Sequence, residues 1–119
     1  MKYAHTTIFV NDIDKSIDFY KNLIGLKIIN RMEVHSQQLV FLGLGETKIE
    51  LICDGQKREV PEEISISMGF ESEDIEQNIQ ILKDAGYPPI TDIIKPSKYV
   101  RFIFFKDPDG YRIQLVEHN

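Results

Sequence analysis

The feature that most constrains the fold of this chain is an internal repeat of about half its length. Residues 10–20, VNDIDKSIDFY, align without gaps with residues 72–82, SEDIEQNIQIL, at an offset of 62 residues. Residues 48–53, KIELIC, align with residues 112–117, RIQLVE, at an offset of 64 residues. A repeat of this length is too short for a solenoid and too long for a hairpin array. It predicts two copies of one supersecondary unit that share a core.

Each copy of the repeat predicts one strand, one helix and three further strands. In the first copy, residues 2–10 alternate in a β-rich pattern, and Asn11 or Asp12 is placed to cap a helix that Gly25 ends. Three strands are then predicted at residues 27–34, 38–44 and 47–53.

The second copy has the same order of elements. A strand at residues 64–72 precedes a helix that starts at the capping box of residues 74–77 and ends at Gly86. The remaining strands are predicted at residues 90–95, 100–106 and 111–117. The expected fold is therefore α+β, a single domain over residues 1–119 with unit 1 at about 1–57 and unit 2 at about 62–119.

Charge and composition argue against several classes of partner. The net charge is −5, and the acidic and basic residues are interspersed, so no basic field is present to hold nucleic acid or an anionic membrane. No apolar run approaches the roughly 18 residues that span a bilayer, and the N-terminus lacks the pattern of a signal peptide. The single cysteine forms no internal disulfide. A soluble, cytoplasmic protein is expected.

Strand alternation puts two polar residues at equivalent positions of the two copies. Ile49 and Leu51 share one face of their strand, and Glu50 points to the other. In the last strand Gln114 stands in the same relation to its apolar neighbours. Glu50 and Gln114 are therefore candidate site residues on the face that the helices leave open.

The two units, a histidine in the first strand, FYKNLIGL at residues 19–26, IEL at residues 49–51 and FFKDPDGYRIQL at residues 104–115 together resemble the vicinal oxygen chelate superfamily. This group includes glyoxalase I, fosfomycin resistance enzymes, bleomycin-binding proteins and extradiol dioxygenases. The resemblance implies one cupped, eight-stranded mixed sheet with helices outside and a divalent metal inside. It places the metal ligands at four positions, which are here His5, Glu50, Ser67 and Gln114.

By this resemblance, the chain is expected to be a glyoxalase I-like lyase or isomerase that acts on a small molecule with adjacent oxygens. His5 and Glu50 would hold zinc, nickel, manganese or iron. Gln114 could complete the shell or contact the substrate, and serine at position 67 is a poor ligand. Because Gln114 cannot act as the base, Glu50 is the candidate catalytic residue.

Two alternatives stay open. One is a metal-free binding protein of the bleomycin-resistance type, favoured by Ser67 and Gln114. The other is an extradiol dioxygenase, which needs a second histidine where Ser67 stands. Arg112 and Arg101 are candidate substrate contacts, and the resemblance implies a homodimer.

Overall fold

The computed structural model describes all residues from 1 to 119 and shows two compact units, Met1–Glu59 and Val60–Asn119. The predicted α+β class is confirmed. Each unit carries one four-stranded mixed sheet and one helical segment, in the predicted order βαβββ. No helix has the length and apolar character needed to cross a membrane.

In unit 1 the first strand lies beside the last one. The sheet order is β1-β4-β3-β2, with β1 parallel to β4 and the other pairs antiparallel. The helical segment begins as a short α-helix and continues as a π-helical turn. The elements are β1 (His5–Phe9), α1 (Ile13–Ile17), the π-helical segment Asp18–Leu23, β2 (Lys27–Val34), β3 (Gln37–Gly43) and β4 (Lys48–Cys53).

Unit 2 has the same topology. Its sheet order is β5-β8-β7-β6, with β5 parallel to β8 and β7 antiparallel to both of its neighbours. Identical strand order in the two halves confirms the repeat predicted from the sequence. The elements are β5 (Met68–Glu71), α2 (Ile75–Asp84), β6 (Ile94–Ser97), β7 (Val100–Lys106) and β8 (Arg112–His118).

Both helices begin at the predicted caps. The side chain of Asp12 accepts a hydrogen bond from the backbone N–H of Lys15 at 3.1 Å, and Asp74 accepts one from Gln77 at 3.1 Å. These bonds satisfy amide groups that a helix start leaves without partners. Gly86 ends α2 as predicted. Its backbone φ is +94°, a conformation that residues with a Cβ atom rarely adopt.

The π-helical segment departs from the predicted α-helix. The N–H of Ile24 bonds the carbonyl of Phe19, five residues earlier, at 3.0 Å. Phe19 and Tyr20 are both fully buried, whereas Ile17 and Ile24, which share the helical spacing of Tyr20, are only half-buried. The widened turn changes which side chains face the sheet, and α-helical spacing does not reveal that change.

Strand lengths also differ from the sequence prediction in unit 2. β5 covers four residues, Met68–Glu71, rather than residues 64–72, and β6 begins at Ile94 rather than at residue 90. Residue Ile90 still donates its N–H to the carbonyl of Phe104 at 2.9 Å. The segment after the two prolines is therefore joined to β7 by isolated hydrogen bonds and not by a regular β-ladder.

In the last strand of each unit, side chains alternate between the buried core and the sheet face opposite the helix, here called the open face, as predicted. Ile113 and Leu115 are buried, while Gln114 between them is half-buried. In β4, Leu51 is fully buried and Glu50 is nearly so. The Glu50 carboxylate lies against β1 and not in the apolar core. The faces opposite the helices therefore carry the polar residues of the candidate site.

Candidate functional site

The parallel pairing of β1 with β4 brings His5 and Glu50 together. Thr7 is directly opposite Glu50 in the ladder, and His5 is two residues earlier on the same face of β1. The Nε2 atom of His5 lies 3.3 Å from Oε1 of Glu50. Two predicted site residues from opposite ends of unit 1 are thus neighbours.

Thr7 fixes the orientation of the Glu50 carboxylate. Its hydroxyl donates a hydrogen bond to Oε1 of Glu50 at 2.6 Å, a distance typical of a bond to a charged acceptor. Glu50 is 8% exposed, so this bond is held in a mostly water-free position. The sequence analysis did not single out Thr7, although its period-two spacing from His5 places it on the same face.

The imidazole of His5 is positioned by an aromatic neighbour as well. The ring of Phe41, on β3, meets the His5 ring edge to face at a centroid distance of 5.3 Å. Phe41 is paired with Glu50 across the β3–β4 ladder, so all three side chains belong to one patch of the sheet. About one third of the His5 side chain is exposed, and the imidazole is therefore accessible to a ligand.

Gln114 occupies the equivalent position in unit 2. It is paired with Gly69 of β5 on one side and Phe104 of β7 on the other. A Cβ atom added to Gly69 would lie 3.2 Å from Oε1 of Gln114, so glycine leaves room for the amide. Ser67 lies just before β5 and is exposed, and unit 2 therefore lacks a partner that matches His5.

Arg112 lies near Gln114 on the same strand. Its guanidinium is stacked over the ring of Phe104, with 4.4 Å from Cζ to the ring centroid. Its Nε atom is buried and has no hydrogen-bond partner in the chain. Lys48, its equivalent in unit 1, is exposed.

Arg101 is engaged by two carboxylates. It donates from Nε to Glu117 at 2.8 Å and from Nη1 and Nη2 to Glu76 at 2.6 and 2.8 Å. Glu117 also accepts the backbone N–H of Ile75, the first residue of α2, at 2.9 Å. Arg101 therefore links β7 and β8 to the start of the helix, and its role as a substrate contact stays a prediction.

These bonds shift the ionisation of all three groups. Hydrogen bonds from Arg101 lower the pKa of Glu117, and the Ile75 amide lowers it further. The same guanidinium lowers the pKa of Glu76, while the two carboxylates, Glu76 first, raise the pKa of Arg101. The network is charged throughout the neutral range.

The donor set of unit 1 fits a divalent metal. An imidazole nitrogen and a carboxylate oxygen are ligands for zinc, nickel, manganese and iron(II). Two ligands bound at about 2.1 Å and separated by tetrahedral or octahedral angles lie roughly 3.0–3.4 Å apart, which includes the observed 3.3 Å. No group of three or more His, Cys, Asp or Glu side chains surrounds a possible metal position. The protein offers two such ligands in unit 1.

Comparison with known proteins agrees with this fold. Residues 2–115 match the sequence model of the Glyoxalase/Bleomycin resistance protein/Dioxygenase superfamily. The match covers nearly the whole chain, and the chain belongs to this superfamily.

Similar proteins include enzymes of two kinds. A protein of Vibrio cholerae named "probable lactoylglutathione lyase" is 32% identical over 98% of this chain and 91% of its own length. The metallothiol transferase FosB of Staphylococcus epidermidis is 31% identical over 93% of this chain and 78% of its own. The structure of the trypanothione-dependent glyoxalase I of Leishmania major superposes on this chain with TM-score 0.81 and 27% identity, over 98% of this chain and 86% of that one.

The lowered pKa of Glu117 predicts acid-sensitive stabilisation. A carboxyl group whose folded pKa is depressed stabilises the folded state above its ordinary value of about 4.5, and this contribution is lost as pH falls through the lowered value. We expect Glu117→Gln to reduce the midpoint of urea unfolding at pH 7 and to have a smaller effect at pH 3. Glu73→Gln, at an exposed position just before the α2 cap, is the matched control. An equal loss of stability for Glu117→Gln at both pH values would contradict this account.

Proposed function

We propose that the chain is a glyoxalase I-like, metal-dependent lyase or isomerase that acts on a small molecule with adjacent oxygens. The observation that carries the proposal is the 3.3 Å separation of Nε2 of His5 and Oε1 of Glu50. Relatives named as lactoylglutathione lyases support this class of reaction. His5 and Glu50 would hold a zinc, nickel, manganese or iron(II) ion, and Gln114 as a further ligand stays a prediction.

The metal would supply Lewis acidity toward two neighbouring substrate oxygens. The protein's own contribution is positioning. Thr7 holds Oε1 of Glu50 in place, and the edge contact with Phe41 keeps the His5 ring turned toward that oxygen. A site with its ligands already oriented loses less conformational entropy on binding.

Proton transfer is assigned to Glu50. Its Oε1 is engaged by Thr7 and faces His5, which leaves Oε2 to accept a proton from a substrate carbon and return it to the adjacent carbon. Gln114 carries a neutral amide with no basic oxygen, so it can orient a substrate group but cannot take this role. Metal binding and proton transfer thus fall on different oxygens of one carboxylate.

A metal-free binding protein is the second candidate. The same 3.3 Å also suits a direct polar contact between His5 and Glu50 with no metal between them, and the Gln114 amide suits a polar ligand group. A dioxygenase, the third possibility, would need a second histidine ligand, and the structure has an exposed serine at position 67 instead.

Calorimetric titration separates the first two candidates. We expect chelator-treated protein to bind nickel or zinc at one site, and His5→Ala or Glu50→Gln to weaken binding by about tenfold or more. The first variant removes one of two ligands, and the second replaces the only charged ligand with a neutral amide. His118→Ala, which removes an exposed histidine at the end of β8, should bind the metal like the unchanged protein. Absence of metal-dependent heat, together with thermal stabilisation by organic ligands alone, would favour the binding protein.

We also propose that the protein forms a homodimer in the cytoplasm, with β2 in the interface. All eight residues of this edge strand are exposed, including four large apolar ones, and exposed apolar edge strands pair readily with other chains. The apolar residues are Ile28, Ile29, Met32 and Val34.

Light scattering after size-exclusion chromatography tests the dimer. We expect twice the chain mass of 13.8 kDa for the unchanged protein and the monomer mass for Ile29→Lys, because a charge would be buried without a partner. Ile81→Lys introduces the same charge at an exposed position of α2 and should leave the dimer intact. A monomeric unchanged protein would refute the proposal.

A further inference from the structure

Unit 2 contains a cavity of about 460 Å³, a size suited to a small organic ligand. Two basic residues line it, Lys106 at the end of β7 and Arg112 at the start of β8, and these two residues are directly paired in the ladder. Ile64 and Ile90 contribute apolar surface. The cavity therefore offers cations at one wall and hydrocarbon at another.

Only one of the two cations is neutralised within the protein. Lys106 lies 3.0 Å from Oε1 of Glu62 and donates to the Glu62 carbonyl at 3.3 Å. Arg112 has no carboxylate within ion-pair distance, and its guanidinium rests on the Phe104 ring. Arg112 is therefore a cation at a cavity wall without a counter-ion from the chain.

The surroundings of Arg112 make an external acceptor favourable. Its Nε atom is enclosed by the protein, so a ligand in the cavity reaches the guanidinium through the Nη groups, which are not buried and have no partner in the chain. The planar guanidinium matches a carboxylate in a two-bond fork. Contact with the Phe104 ring uses one face of the guanidinium, and the edge formed by Nη1 and Nη2 is left for such a fork.

The acidic residues at the cavity restrict the charge of the ligand. Glu62 and Glu63 are both exposed and belong to the lining, so the formal charges of the two basic and two acidic residues balance. A ligand with several negative charges would be repelled by these carboxylates. One negative charge, placed at Arg112, leaves the rest of the cavity for an apolar chain.

We propose that this cavity binds a small monocarboxylate, with its carboxylate on Arg112 and a short hydrocarbon chain against Ile64 and Ile90. The inference rests on the proposed function in one respect, which is that the carboxylate bound by Arg112 belongs to the substrate. Binding itself involves neither His5 nor Glu50. It can therefore be measured without metal and without turnover.

Nuclear magnetic resonance titration with hexanoate tests the site, and hexanamide serves as the uncharged analogue of the same shape. We expect saturable binding of hexanoate, with a shift of the Arg112 Nε–H signal, and binding of hexanamide that is at least tenfold weaker. Inorganic phosphate, which carries more charge and no hydrocarbon, should bind more weakly than hexanoate.

Variants at the cavity identify the contact. Arg112→Gln should weaken hexanoate binding by about ten- to a hundredfold, and Arg112→Lys, which keeps the charge but loses the fork, by a smaller factor. Glu63→Gln alters a charge in the same cavity and should bind hexanoate as well or better. His5→Ala should bind hexanoate like the unchanged protein even where it has lost metal, so failure of the metal site and failure of this site are distinguishable.

Three results would overturn the inference. One is the absence of any saturable change at the Arg112 signal. Another is equal affinity for hexanoate and hexanamide, which would make the cavity a site for apolar groups alone. The last is unchanged hexanoate binding by a folded Arg112→Gln variant.

Discussion

The candidate site depends on the parallel pairing of β1 with β4. Thr7 and Glu50 are 43 residues apart in sequence, yet the ladder places them directly opposite each other. Parallel neighbours need a long crossover connection, and the helical segment, β2 and β3 supply it here. Because side chains on one face of adjacent strands are about 5 Å apart, the pairing alone brings His5 within reach of the Glu50 carboxylate. Any change that shifted this register by one residue would turn the pair to opposite faces.

Unit 2 repeats the topology and uses it for different chemistry. The strand pair β5–β8 presents Gly69 beside Gln114 where unit 1 presents Thr7 beside Glu50. Glycine makes room for an amide and gives it no hydroxyl donor. The charged chemistry of unit 2 lies instead at the start of β8, where Arg112 stacks on Phe104 beside a cavity. The repeat thus conserves backbone geometry within the chain while the side chains on the two open faces have diverged.

The sequence was sufficient for features that depend on local patterns. Aspartate caps and helix-ending glycines follow from the needs of nearby backbone groups, so Asp12, Asp74 and Gly86 were predictable. The alternation of side chains along a strand is also a local pattern, and it placed Glu50 and Gln114 on the sheet faces opposite the helices.

Features that depend on distant contacts were not predictable in this way. The π-helical turn at Asp18–Leu23 buries the adjacent residues Phe19 and Tyr20 together, which α-helical spacing does not predict. Arg101 was predicted as a substrate contact, whereas its engagement by Glu76 and Glu117 depends on where α2 begins in space. Thr7 could have been found by extending the period-two reading from His5 and pairing the first strand with the last.

X-ray absorption spectroscopy of the nickel-loaded protein tests the central claim most directly, because it reports the atoms bound to the metal. The account predicts one imidazole nitrogen per nickel together with oxygen ligands, and loss of the imidazole contribution in His5→Ala. A spectrum without imidazole scattering, or one that is the same for the unchanged protein and His5→Ala, would show that His5 is not a metal ligand and would contradict the account.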